Sequence, residues 1–170
     1  MGLFDKLTGT RRPADGVASA PAEEVLTALL GLNRSDVPYV IRDGAAEGAE
    51  LVAEWRLSEP VWQPLFLGSQ LSRAVRISMR LDRADREVRA LEEGWAVERV
   101  GNPPRIQISS AYTRGPGRTV SSYRKIQHGD DGRLEAKEYF HFDSSELRAP
   151  LRATVLKLGW TWRGVVFGRL

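Results

Sequence analysis

Between Leu134 and Leu158 the apolar period of this chain changes from two residues to about 3.6. "RLEAKEYFHF" sets Leu134, Ala136, Glu138, Phe140 and Phe142 against Glu135, Lys137, Tyr139 and His141, the alternation of a strand. "SSELRAPLRATVLKLG" then brings Leu147, Leu151, Thr154, Val155 and Leu158 onto one helical stripe. Ser144 or Ser145 is placed to cap that helix, and Gly159 stands where a C′ glycine belongs. A start at about Glu146 leaves Pro150 early enough to be tolerated. An apolar sheet face must be covered by something, and this late helix is the natural cover.

What it covers is read from the preceding residues. In "RISMRLDRADREVRALEEGW", Val75, Ile77, Met79 and Leu81 alternate with Ala74, Arg76, Ser78 and Arg80, and Asp82 opens a turn. Residues 83–95 fit two structures. A helix gathers Ala84, Val88, Leu91 and Trp95 on one face. A strand turns Val88 and Ala90 inward, with Arg89 and Leu91 opposite. The helix would run about three turns with no Gly or Asn stop before Gly94. The strand gives Arg76 and Arg80 acidic partners, Glu87 and Glu92, across a ladder. The β-hairpin is therefore the expectation.

Other segments follow the same logic. "PAEEVLTALLGLN" is a helix capped by Ser19, with Val25, Leu26, Leu29 and Leu30 as its stripe. "PYVIRDGAAEGAELVAEWRL" is two strands about Asp43-Gly44. "SEPVWQPLFLGSQL", with two prolines, is a crossing segment holding a short helical turn, with Trp62, Leu65 and Phe66 buried. "WAVERV" and "RIQISSAYT" are strands. "TVSSYRKIQ" is expected to pair with the strand before it across "RGPGR", and "WTWRGVVFGRL" to close the chain as a last strand. The fold class is thus α+β: a curved antiparallel sheet of about six to eight strands packed on a C-terminal helix, with one N-terminal helix. The order of elements resembles the START-like folds, and also tubby-type barrels, in which a curved sheet grips a long helix; no residue motif carries a family. Residues 1–18 read as a flexible tail and 19–170 as one domain.

Composition narrows the function classes. With no cysteine in 170 residues, disulfides, thiolate catalysis and Cys-ligated zinc are excluded. Asp5 and Lys6 interrupt the opening apolar residues, against a secretory signal, and Lys6 stands where N-myristoylation wants Ser or Thr. Leu3, Phe4 and Leu7 fit one amphipathic turn, able to dock on the domain or touch a membrane weakly. No apolar run approaches the roughly 18 residues of a membrane span. A cytoplasmic protein is expected.

Net charge is +3, unevenly spread. From Arg99 to Gly129 there are six basic residues and no acid, and 21 of the 25 basic residues are arginine. Arg105, Arg114, Arg118, Arg124 and Lys125, with Tyr112 and Tyr123 between them, would form an anion-binding face if two strands there paired. The small total charge argues against nucleic acid as partner, and the arginine content also fits a GC-rich genome.

The remaining candidates are aromatic and acid–base groups. Trp62, Trp95, Trp160 and Trp162 are the candidates to line an apolar ligand cavity between sheet and helix, or simply to pack. His128 with Asp130 and Asp131, and His141 with Asp143, are the candidate general bases of a hydrolase-like enzyme. Thirteen residues separate the two histidines, about 40 Å along a straight strand. Glu92-Glu93 would point to opposite faces of a strand, a poor chelator, and no metal or cofactor is expected. No Walker A, G-x-G-x-x-G or G-x-S-x-G occurs. The expectation is a binding module for an apolar or amphipathic small molecule between sheet and helix, or for a protein partner. A hydrolase, or anion binding by the Arg99–Lys125 face, is the alternative. Nothing in the pattern specifies an oligomeric state.

Overall fold

Alternation prevails over helix propensity in residues 83–95, and that outcome organises the whole sheet. The computed structural model describes residues 2–167 and Leu170; the side chains of Phe4, Ala111, Tyr112 and Tyr139 lie outside the description. The elements run α1 (Leu3–Thr8), α2 (Ala22–Leu30), β1 (Tyr39–Asp43), β2 (Leu51–Trp55), α3 (Gln63–Gly68), β3 (Arg73–Asp82), β4 (Glu87–Val100), β5 (Arg105–Arg114), β6 (Val120–His128), β7 (Leu134–Asp143), α4 (Ser144–Lys157) and β8 (Thr161–Val165). A 3-10 turn, Ala45–Glu47, links β1 to β2. The fold is α+β with a C-terminal helix, as expected.

β3 and β4 form the expected hairpin, with Asp82 Oδ1 accepting from the Ala84 and Asp85 amides in the turn. Its register corrects the expected charge pairs. Arg76 lies opposite Glu93, Arg80 opposite Arg89, and Glu92 opposite Ile77. Arg76 bonds Glu54 of β2 at 2.9 Å and stacks on Trp95, its diagonal neighbour, at 4.9 Å.

The main sheet has the order β1-β2-β3-β4-β5, and β8 also pairs with β4. All neighbours are antiparallel except β8, which runs parallel to Glu87–Leu91. The expected β5–β6 hairpin does not form among the described residues: β6 pairs with β7 in a separate two-stranded sheet. The link between β5 and β6 explains why. Gly117 N–H donates to Glu92, Arg118 pairs with Asp143, and Thr119 exchanges bonds with Ser144. The linker is thereby held against β4 and the start of α4, which carries β6 away from β5.

The inner face of the sheet carries Ile41, Leu51, Ala53, Trp55, Val75, Ile77, Met79, Val88 and Ala90, all buried. Val25 and Leu29 of α2, Phe66 of α3, and Leu147, Leu151 and Val155 of α4 complete this core. Phe142 stands edge-on to Trp55 and lies 5.7 Å from Phe66, so the space beside the sheet is filled by packed rings.

Several ends differ from expectation. α4 begins at Ser144, which leaves Pro150 inside the helix, where it withholds one N–H from the ladder. Asp143 is the cap: its Oδ1 accepts from the Ser145 amide at 2.8 Å. Gly159 adopts φ 71°, the left-handed conformation foreseen for it. Pro21, not Ser19, caps α2, and the Ser19 hydroxyl donates instead to the Gly159 carbonyl. Residues 3–11, within the segment read as a tail, are tied down. Arg11 exchanges both backbone hydrogen bonds with Trp162, and Thr8 and Thr10 are buried with their hydroxyls 2.8 Å apart. Among the described residues no helix is long and apolar enough to cross a membrane.

Candidate functional site: a cationic cavity at the split edge of one strand

Glu92 is a charged residue in the phase of a buried face. Val88, Ala90 and Glu92 lie opposite Leu81, Met79 and Ile77, the apolar side of β3. Its place along β4 is equally unusual. The parallel pairing with β8 ends at Leu91, and the antiparallel pairing with β5 begins at Glu93. At Glu92 neither strand is alongside, and the Gly115-Pro116-Gly117 loop fills the gap. The Gly115 amide donates to the Glu92 carbonyl at 2.9 Å, and the Gly117 amide to its Oε1 at 3.2 Å.

The countercharge comes from α4. Arg148 donates from Nε to Glu92 Oε2 at 2.7 Å and from Nη2 to Oε1 at 2.6 Å, and Nη2 also reaches the Gly117 carbonyl. Glu92 is 7% exposed. A lone carboxylate would not tolerate that burial, and the two-pronged arginine is what permits it.

Arg152 follows one helical turn later, on the same side of α4. Among the described residues nothing accepts a hydrogen bond from it. Burial first, and then the like charges of Arg11 and Arg148, push its guanidinium below the ordinary arginine value. These groups line a cavity of about 210 Å³ with Lys6, Thr8, Pro116 and Trp162. Among the described residues the lining thus holds four cations, Lys6, Arg11, Arg148 and Arg152, and one carboxylate, Glu92, which is paired with Arg148. The wall is half apolar through Ile77, Ala90, Trp162 and Val165. Such a site can hold a small anion by charge and directed N–H donors, with an apolar flank for whatever carries the anion.

The anion-binding residues read from the sequence do not assemble into one face. Arg114 pairs with Glu93, Arg118 with Asp143 and Arg124 with Glu138. Lys125 lies opposite Lys137, and Arg105 sits beside a shallow hollow at the β4–β5 turn. The acid-free window is acid-free only in sequence; folding supplies its carboxylates from β4 and β7. The Tyr112 side chain lies outside the described residues.

The four tryptophans occupy four surroundings. Trp160 is buried, its Nε1 donating to the Ala20 carbonyl at 2.8 Å. Trp162 is buried and forms part of the cationic cavity. Trp62 is half-buried against Phe140, 6.1 Å away. Trp95 is half-buried under Arg76 and lines a separate pocket of about 170 Å³ with Trp55, whose buried Nε1 has no partner among the described residues.

The histidines stay apart. His128 pairs with Leu134 near the tip of the β6–β7 hairpin, and His141 lies seven residues further along β7. The hairpin shortens the straight-strand separation to about 24 Å. His141 Nδ1 is 3.7 Å from Glu138 and half-exposed. Among the described residues no group of three acidic or histidine side chains is placed to hold a metal ion.

Reading the sequence for motifs does not single out Lys6, Arg11, Arg148 or Arg152, and it treats Glu92 only as a neighbour of Glu93. The available signals were the phase of Glu92 with Val88 and Ala90, and two arginines four residues apart beside the apolar stripe of α4. Comparison of the chain with protein-family models, with curated proteins and with solved structures finds no match.

Proposed function

We propose that this protein is a binding module for a small anionic ligand, phosphate- or carboxylate-bearing, taken into the cavity of Lys6, Arg11, Arg148 and Arg152. The observation that carries this reading is Arg152. A partly buried guanidinium without an acceptor among the described residues, pressed against two like charges, is unfavourable by itself and gains most when an anion arrives. The Glu92 pair fixes Arg148 in place, so its remaining positive field is directed without loss of side-chain freedom on binding. Trp162 and Val165 give an apolar wall for the organic part of a ligand. The proposed location is the cytosol, in keeping with the sequence expectation.

The test is thermal unfolding in rising inorganic phosphate. A ligand bound only to the native state raises stability by about 2.7 kcal/mol at one hundred times its dissociation constant. The wild-type midpoint is expected to climb with phosphate and that of Arg152→Gln to stay nearly flat. Equal climbs in both proteins would remove the reading.

A second reading, for an amphipathic small molecule, rests on the Trp95 pocket. There Trp55 Nε1 is a buried donor in need of an acceptor, beside Trp95 and Arg76. Quenching of Trp95 fluorescence by a bound compound, lost in Trp95→Leu, would support it.

A further inference from the structure

We infer that the cationic cavity opens onto an anionic lipid surface, with the exposed leucine stripe of α1 entering the bilayer interface beside it. The inference rests on the anion reading of the cavity and names the source of the anion: a phospholipid headgroup. Leu3 and Leu7 are one turn apart, and Lys6, three residues after Leu3, flanks them on α1. Lys6 lines the cavity, whereas Leu3 and Leu7 remain 78% and 64% exposed. The apolar stripe therefore borders the cavity wall along α1.

The chain behind this helix is tied to β8. Behind it Arg11 is hydrogen-bonded to Trp162, Thr8 and Thr10 are buried, and the Gly164 amide donates to Thr10 Oγ1. Leucines on a loose end would fold back onto the nearest apolar surface, but these are held outward. Phe167, two residues past the end of the strand that α1 packs against, adds an exposed ring.

Charge complementarity selects the occupant. The acidic member of α1, Asp5, is engaged by Arg12 at 2.9 Å, and Glu92 is engaged by Arg148. Lys6 and Arg152 then put positive charge at this end of the molecule, the sign an anionic leaflet attracts. A stripe of two leucines is too small to anchor a protein by itself, and one headgroup site is weak by itself. The two signals combined are what stable but reversible membrane attachment requires.

The test is co-sedimentation of the full chain with vesicles of phosphatidylcholine alone and of phosphatidylcholine with about one-third phosphatidylglycerol, together with the phosphate-dependent thermal shift. Wild type is expected to pellet with the anionic vesicles only, and less as salt rises. Leu3→Ser/Leu7→Ser changes solvent-facing side chains; it should lower vesicle binding by about tenfold while keeping the phosphate shift. Arg152→Gln should lose both. Wild type that ignores anionic vesicles yet keeps the phosphate shift overturns the lipid inference and leaves the anion reading, with a free anion as ligand. A double variant that still binds vesicles like wild type also overturns it. A wild-type dimer that the double variant dissolves, with no vesicle binding, gives the stripe to a second copy instead. Loss of the phosphate difference between wild type and Arg152→Gln removes the underlying anion reading.

Discussion

The guanidinium of Arg148 grips both carboxylate oxygens of Glu92 at 2.6–2.7 Å, joining α4 to the centre of β4 across 56 residues of sequence. Breaking that pair strands a charge that is mostly buried. Glu92→Ala takes from Arg148 its carboxylate while the like charges of Arg152 and Arg11 stay nearby, at a cost of about 3 kcal/mol. Glu92→Leu combined with Arg148→Met should cost much less, because it removes both charges at once. Urea unfolding of the single and double variants checks this; equal losses would mean that the pair is not what stabilises the site.

Arg152 makes the opposite prediction. Its partly buried charge opposes the folded state when no anion is bound. Arg152→Met in phosphate-free, low-salt buffer should unfold at the wild-type midpoint or above it. A clear fall would show that Arg152 has a structural partner.

Asp143 links the β7 end to α4 and supplies an acid-sensitive term. Burial alone would raise its carboxyl, but hydrogen bonds from Arg118 and from the Ser145 amide outweigh that and hold it at about 2. Its folded value therefore lies below the ordinary carboxylate range. The stability it contributes is fully present above about pH 4 and is lost as the pH falls towards 2. Because Arg118 is largely exposed, solvent screening reduces the contribution to about 1 kcal/mol. The denaturant midpoint of wild type should fall over that window more steeply than that of Asp143→Asn, which keeps an acceptor for the cap and cannot titrate.

Gly164 lies against the carbonyl of Thr8 so closely that a Cβ would overlap the oxygen. Gly164→Ala must push residues 3–11 off β8. The expected result is local: lost amide protection at Arg11 and early proteolysis near Gly9, with only about 1–2 kcal/mol lost globally. Unchanged hydrogen exchange at Arg11 would contradict the close fit. The same variant should weaken anion binding, since Lys6 and Arg11 leave with the segment.

Phe142 is 1% exposed between Trp55 and Phe66. Phe142→Ala should cost about 3–5 kcal/mol, because a ring-sized hole opens between sheet and helices. Near-ultraviolet circular dichroism should report the loosened Trp55. A loss under about 1 kcal/mol would mean that the core collapses around the hole.

Local periodicity and turn chemistry by themselves determined much of the secondary structure. Val75 to Leu81 alternate because one face of β3 is buried, Asp82 turns the chain, and Gly159 ends α4 in a conformation that glycine adopts freely. The candidate site was legible only as a trace: Glu92 in step with Val88 and Ala90 marked a carboxylate due for burial. Its partner was not legible, since nothing within a few residues of Glu92 points to Arg148. Tertiary structure decided every such pairing. It matched Arg118 with Asp143 and Arg124 with Glu138, dissolving the basic window; it split the edge of β4 between a parallel β8 and an antiparallel β5; and it fastened α1 beside Trp162. The physical reason is range. Steric alternation and turn preferences act between neighbours along the chain, whereas a charge's fate depends on which distant group the packed core brings within hydrogen-bonding distance.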